Sequence, residues 1–333
     1  MEEEHRLDIM REKAGSKVLV YDIGGTWSRA VGIHDGKVIG ILKEAWSKNV
    51  SVKSDMEQLI RLGLKLFDRE WFKNNEVNIA ISLPANFLEN GYIVKWPNRK
   101  SWEGINLINL LSPVLGEKII LEDDANTALV AEMEFGELVS IKNALFVSIG
   151  TGIGSGLIIN GQVYKGNRGC AGELGHVIIH PDSQTICKCG KQGCLQPLAS
   201  GNFLEEEAKK AGMDDVEELI RLGNNKDEKA ERILRNSARR IAIAIANVAF
   251  YLDVEKVVVT GRFCKESSLW WNELKNEYQH NVFSDERTIP IKESKMINVG
   301  GLVGAAIVAC KCWKPGKEYQ NDILSLICML AKV

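Results

Sequence analysis

Two apolar runs that each stop at a glycine-rich turn constrain this chain more than any other feature. Val18-Leu19-Val20-Tyr21-Asp22-Ile23 ends at Gly24-Gly25-Thr26, and Ala144 to Ile149 ends at Gly150-Thr151-Gly152-Ile153-Gly154-Ser155-Gly156. A β-rich run halted by glycines predicts a strand and then a turn whose backbone amides are open to an anion. Four glycines within seven residues cost much backbone entropy, more than turn geometry alone accounts for. The second turn fails the dinucleotide fingerprint, which needs glycine at Ser155 or Leu157, and the chain has no GxxxxGK[ST]. Neither a Rossmann site nor a P-loop is supported. Two Gly-Thr turns, one in each half, instead describe a clamp on one polyphosphate, in a duplicated α/β fold with a cleft between its halves.

The rest of the chain fits that outline. Its 333 residues suit two domains of ordinary size. Residues 1–16 form a polar tail. Strands are expected at Arg29 to His34, Lys37 to Leu42, Val77 to Leu83, Lys118 to Leu121 and Lys256 to Thr260. Ser54-Asp55-Met56-Glu57 has capping-box spacing ahead of a helical apolar pattern from Met56 to Trp71, and Ala125 to Phe135 reads as a helix. Residues 203–222 and 226–251 read as long helices, and Asn160-Gly161 as a hairpin turn. The apolar tail at 319–333 is a helix face that packs on its own domain or on a second subunit. Periodicity by itself leaves the topology open.

The formal charge of −2 provides no basic field for a polynucleotide. The start of the chain has no apolar run and no later stretch reaches membrane-spanning length, so a cytoplasmic protein is expected, with no membrane partner. In a reducing compartment, a close cysteine cluster points to metal or catalysis rather than disulfides. Three of the eight cysteines, Cys187, Cys189 and Cys194, fall within eight residues. With His176 they give a complete tetrahedral Cys3His set, which leaves no open position and so describes a structural zinc.

Two further groups carry possible chemistry. In Asp22-Ile23-Gly24-Gly25-Thr26 the glycines admit an anion, the threonine hydroxyl adds a donor, and Asp22 can hold Mg2+. Glu122-Asp123-Asp124 sets three carboxylates between a strand and a helix, where acids also serve as ordinary dipole partners. Asp124 is read as the acceptor of a proton from an attacking hydroxyl, acting mainly by orienting it.

Taken in order, DIGGTWSR at 22–29, LEDDAN at 121–126, GTGIGSG at 150–156, AGELGH at 171–176 and CKCGKQGCL at 187–195 resemble the ROK family over roughly residues 17–312. The resemblance implies a two-domain actin/hexokinase-like fold, a duplicated ribonuclease H-like α/β fold with ATP in an interdomain cleft. The expected domains are 17–122 and 123–299, with a carboxy-terminal helix at about 300–318 returning to the first. The implied activity is ATP-dependent phosphorylation of a hexose, with Mg2+, structural Zn2+ and a homo-oligomeric assembly. By position, Asp124 matches the catalytic aspartate, and Asn98, Asp123, Glu173, His176 and Gln196 line the sugar site. Asp22, Gly24, Gly25, Thr26, Gly150, Thr151, Gly152, Gly154 and Gly261 match the nucleotide and phosphate side.

Four departures stand out from the family pattern. Asp123 replaces the usual asparagine, Gln196 the usual glutamate, Ala85 the glycine after Pro84, and Arg262 the glycine after Gly261. The first two keep the charge of the sugar site while moving it, which implies a polar hexose whose hydroxyls are read differently. Glucose is the first expectation and an N-acetylhexosamine the alternative. A sugar-responsive repressor would need a helix-turn-helix domain in front, and only 21 residues precede Asp22. A silent sugar-binding protein is disfavoured by the retained Asp22, Asp124 and both turns.

Overall fold

Strand β1 (Lys17–Ile23) is buried along nearly its whole length, because it lies in the middle of a sheet covered on both faces. The computed structural model describes residues 17–47, 51–96, 99–282 and 288–313, with 323, 326, 327, 329 and 330. The expected polar tail at 1–16 and the sugar-site candidate Asn98 lie outside the described residues, as does most of 319–333. Ile323 and Leu326 of that apolar tail are buried within the chain itself.

The chain divides into two compact units, one formed by residues up to 130 together with 299 onward, the other by 131–298. In the first unit β1 is followed by β2 (Trp27–His34), β3 (Lys37–Ala45), helices α1 (Val52–Leu66) and α2 (Arg69–Lys73), and β4 (Val77–Leu83). A small hairpin, β5 (Asn86–Phe87) and β6 (Ile93–Lys95), precedes α3 (Leu107–Leu115), β7 (Ile119–Asp123) and α4 (Asp124–Phe135). The sheet order is β3-β2-β1-β4-β7, antiparallel across the first three strands and parallel from β1 to β7.

The second unit repeats this plan. It contains β8 (Ala144–Ile149), β9 (Ile153–Ile159), β10 (Gln162–Val163), the short helix α5 (Gln196–Ala199), α6 (Gly201–Lys210), α7 (Val216–Asn224) and α8 (Glu228–Leu252). It closes with β11 (Lys256–Thr260), α9 (Arg262–Glu266), α10 (Ser268–Asn281) and β12 (Ile291–Glu293). Its order, β10-β9-β8-β11-β12, has the same antiparallel hairpin followed by parallel neighbours. Each unit has its own apolar core, so the internal duplication is architectural and not only a matter of two turns.

The last long helix, α11 (Gly300–Trp313), packs on β1 and β4 of the first unit. Two glycines permit that approach. A Cβ on Gly301 would come 3.2 Å from Oδ1 of Asp22, and one on Gly304 would run into the Thr127 carbonyl.

Three local expectations are corrected. Helix α1 starts one turn earlier than Ser54, since Ser51 caps it by accepting the Ser54 N–H at 3.1 Å. Ser54 is therefore not the cap but a residue of the first turn, and Asp55 is fully buried inside the helix. The stretch 203–222 is two helices, broken where Gly212 adopts φ +86° and Asp215 caps α7 through the Glu218 N–H. The division between units falls inside α4, between Val130 and Ala131, rather than ahead of it at 122/123.

Candidate active site and metal centre

The first glycine turn is shaped from within its own unit. Gly24 donates its N–H to the Trp27 carbonyl at 2.9 Å. Its carbonyl accepts the indole N–H of Trp46 at 2.8 Å, while the backbone N–H of Trp46 donates to the Thr26 carbonyl at 3.1 Å. In a planar trans peptide the C=O and the next N–H point in opposite directions, so the Gly25 N–H is directed away from Trp46. Gly25 and Thr26 are exposed. A Cβ on Gly24 would meet only the Trp27 carbonyl, at an ordinary 3.5 Å, so the fold itself does not require glycine there. Close approach of a ligand to the backbone would. Asp22, mostly buried, accepts from Nε of Arg29 at 2.9 Å and from Nη2 through the same Oδ2. A metal held by Asp22 is therefore left with Oδ1 or an intervening water.

The second turn follows the same logic with different parts. Gly150 donates to the Gly152 carbonyl at 3.0 Å. The carbonyls of Gly150 and Thr151 accept N–H groups from Gly201 and Asn202, at 2.9 and 3.2 Å, where α6 begins. The N–H groups of Thr151 and Gly152 consequently point away from α6. A Cβ on Gly150 would meet nothing within 4 Å. Gly154, expected in the turn, lies in β9 opposite Ser148. Gly261 has φ +134° and a Cβ there would run into the Ile149 carbonyl, so only glycine fits beside the end of β8. The next residue, Arg262, pairs with Glu217 at 2.7 Å and Glu266 at 3.2 Å.

At the end of β7, Asp123 and Asp124 take separate positions. Asp123 Oδ1 accepts the N–H groups of Ala125 at 3.0 Å and Asn126 at 3.3 Å, which makes it the N-cap of α4. Burial, and then the neighbouring Asp124 charge, push its pKa well above the ordinary carboxylate range. Asp124 begins the helix and is exposed. The first turn is pinned beneath it, since the Thr127 hydroxyl donates to the Asp124 carbonyl at 2.8 Å and lies 2.9 Å from the Ser82 hydroxyl.

In the second unit, Glu173, His176 and Gln196 sit around the cysteine loop. His176 Nδ1 is 3.4 Å from Cys187 Sγ, Cys189 and Cys194 sulfurs are 3.7 Å apart, and the four ligand atoms lie within 4.8 Å of one another. A tetrahedral zinc with Zn–S near 2.3 Å has S···S edges of roughly 3.8 Å, so the donor set fits the ion in type and spacing. Burial, then the Cys189 thiol, push the Cys194 thiol up to about 12. The opposite ring nitrogen, Nε2, lies 3.8 Å from a Glu173 oxygen. Gln196, expected at the sugar, uses Oε1 to accept the Ile153 N–H at 3.0 Å.

Sequence reading missed the contacts among Trp46, Asp55 and Arg99: Trp46 and Arg99 belong to no local motif, Asp55 was read only within a capping box, and the three meet only through the tertiary fold. Arg99 directly follows Asn98, and that adjacency was the single available hint.

Residues 22–311 match the ROK family. A glucokinase from Thermotoga maritima is 28% identical over 312 residues, covering 88% of this chain and 96% of its own. An N-acetylmannosamine kinase from Haemophilus influenzae is 29% identical over 249 residues, 74% of this chain and 80% of its own. The solved ROK hexokinase from Thermus thermophilus superposes with a TM-score of 0.74 at 29% identity, over 90% of this chain and 100% of that one. The repeated sheets accord with the two-domain actin/hexokinase-like fold, and with a match over most of its length the chain belongs to the ROK family.

Proposed function

We propose that this protein is an ATP-dependent sugar kinase that transfers the γ-phosphoryl group of ATP to a hexose hydroxyl, O6 of glucose or of a related hexose. The observation that carries this reading is the pair of glycine turns whose carbonyls are engaged inside their units, so that the Gly25 N–H points away from Trp46 and the Thr151 and Gly152 N–H groups away from α6. Amides presented in this way suit phosphate oxygens.

Phosphoryl transfer needs little covalent help from the protein, so the assigned roles are positioning and charge. Asp124 accepts the hydrogen bond of the attacking hydroxyl and takes its proton as the O–P bond forms and ADP departs. Glu173 and Nε2 of His176 hold other sugar hydroxyls, as Asn98 is expected to do. Asp123 and Gln196 border the sugar while each spends one oxygen on the fold. Gly24, Gly25, Thr26, Gly150, Thr151, Gly152 and Gly261 serve the nucleotide. Mg2+, held near Asp22, would neutralise charge on the phosphates. Zinc at His176, Cys187, Cys189 and Cys194 would be structural and would fix the ring whose other nitrogen meets the sugar.

The second reading is an N-acetylhexosamine kinase, favoured by the likeness to the Haemophilus influenzae kinase over 74% of this chain. ATP turnover measured over glucose, mannose, fructose, N-acetylglucosamine and N-acetylmannosamine separates the two. Turnover on none of the five would overturn the kinase reading.

A further inference from the structure

We infer that Trp46, Arg99 and Asp55 are positioning residues for the phosphate turn, an interior clamp that holds the Gly24–Thr26 backbone in the orientation that a nucleotide phosphate needs. The proposal rests on the kinase reading for its ligand, but its geometry stands independently. Trp46 grips the turn at two points, Gly24 O with its indole N–H at 2.8 Å and Thr26 O with its backbone N–H at 3.1 Å. The indole ring is then held from behind. The Arg99 guanidinium lies 4.5 Å from its centroid, a distance at which the cation is drawn to the ring face.

Arg99 is in turn fixed by Asp55. Its Nε donates to Oδ2 at 2.6 Å and Nη2 donates to Oδ1, a two-point fork that sets the plane of the guanidinium. Trp102 donates its indole N–H to the same Oδ2 at 2.8 Å, and its ring packs on Trp46 at 6.0 Å and on Trp96 at 4.9 Å. Asp55 and Trp102 are fully buried, and Arg99 is 5% exposed. An ion pair this deep costs much to desolvate and contributes little net stability compared with apolar packing of the same volume. Its value here is directional. It orients one ring, and the indole N–H of that ring holds the Gly24 carbonyl, whose peptide directs the Gly25 N–H away from Trp46.

The second unit supplies the same service differently, by the Gly201 and Asn202 N–H groups on Gly150 O and Thr151 O. In the first unit Trp46 takes the place of that helix N-terminus. The Arg99 N–H also donates to the Trp96 carbonyl at 2.9 Å, which ties the guanidinium-bearing residue to the buried Trp96.

The test uses Trp46→Phe, which keeps an aromatic ring beside Arg99 and removes the indole donor together with one ring of the bicycle. Losing one such hydrogen bond should raise the KM for ATP about three- to tenfold. The KM for the hexose and kcat should stay within about twofold, and hydrogen exchange of the 22–28 backbone should quicken. Arg99→Lys, which keeps the charge and loses the fork, should move the same two readouts in the same direction. A folded Trp46→Phe protein with unchanged ATP KM and unchanged exchange overturns the clamp. Equal increases in both KM values also overturn it, because general loosening would do that. Failure of the kinase reading looks different: the unaltered protein transfers no phosphate to any hexose, and exchange of the 22–28 segment then decides the clamp alone.

Discussion

Nδ1 of His176 lies 3.4 Å from Sγ of Cys187, while Nε2 of the same ring lies 3.8 Å from a Glu173 carboxylate oxygen. One imidazole thus joins the cysteine cluster to a candidate sugar ligand. About one zinc per chain is expected from elemental analysis of the purified protein. Cys189→Ser should lower metal content, melting temperature and sugar affinity together, since the metal orders the loop and the ring. A zinc-free protein with full stability and affinity would contradict this.

Asp124 should act on turnover. Asp124→Asn preserves the shape of the side chain but removes its ability to take a proton. A loss in kcat of about 10²–10⁴-fold is expected, with hexose affinity largely kept. Steady-state kinetics beside a calorimetric titration of the sugar distinguishes this from a binding defect. Full turnover in the variant would reassign the role.

Asp123 should act on stability in a pH-dependent way. Its folded pKa lies above the ordinary 3.8, so the folded chain keeps the proton to higher pH than the unfolded chain does. The associated stability is fully present below about pH 4 and is lost as pH rises through the folded pKa, at about 1.4 kcal/mol per pH unit between the unfolded and folded values. Asparagine caps α4 equally well and carries no charge. Asp123→Asn should therefore melt higher than the parent at pH 8 and near it at pH 4. Melting curves across that range check the claim, and a gap independent of pH would refute it.

Local grammar made much of the fold legible, because strands such as Val77–Leu83 and Lys256–Thr260 are short apolar runs bounded by breakers. The cysteine cluster was equally plain, since its ligands sit close together in the chain. The capping role of Asp123 and the bond from Ile153 to Gln196 were not readable, because each depends on which oxygen the folded backbone claims. Asp55 shows the limit most clearly. It stood as a mere intervening position in the Ser54–Glu57 capping-box spacing, and only the fold brings it to Arg99, forty-four residues away in sequence.

Arg262 stands at the edge of the second sheet where strands β8 and β11 both end. Gly261 packs against the Ile149 carbonyl, so Arg262 emerges beside the strand that leads into the Gly150 turn. Open edges at the carboxyl ends of parallel strands are where α/β sheets usually bind ligands. Glu217 and Glu266 hold the guanidinium there through two partly exposed ion pairs, each worth about 0–1 kcal/mol. Its Nη2 is buried and finds no partner among the described residues. Arg262→Gly should consequently leave the melting temperature within a few degrees and raise the KM for ATP severalfold, as a stacked or phosphate-paired guanidinium is lost. Glu217→Gln frees the side chain without removing it and should change that KM much less. If Arg262→Gly leaves the KM for ATP untouched while lowering stability, the residue is only a tie between α7 and α9.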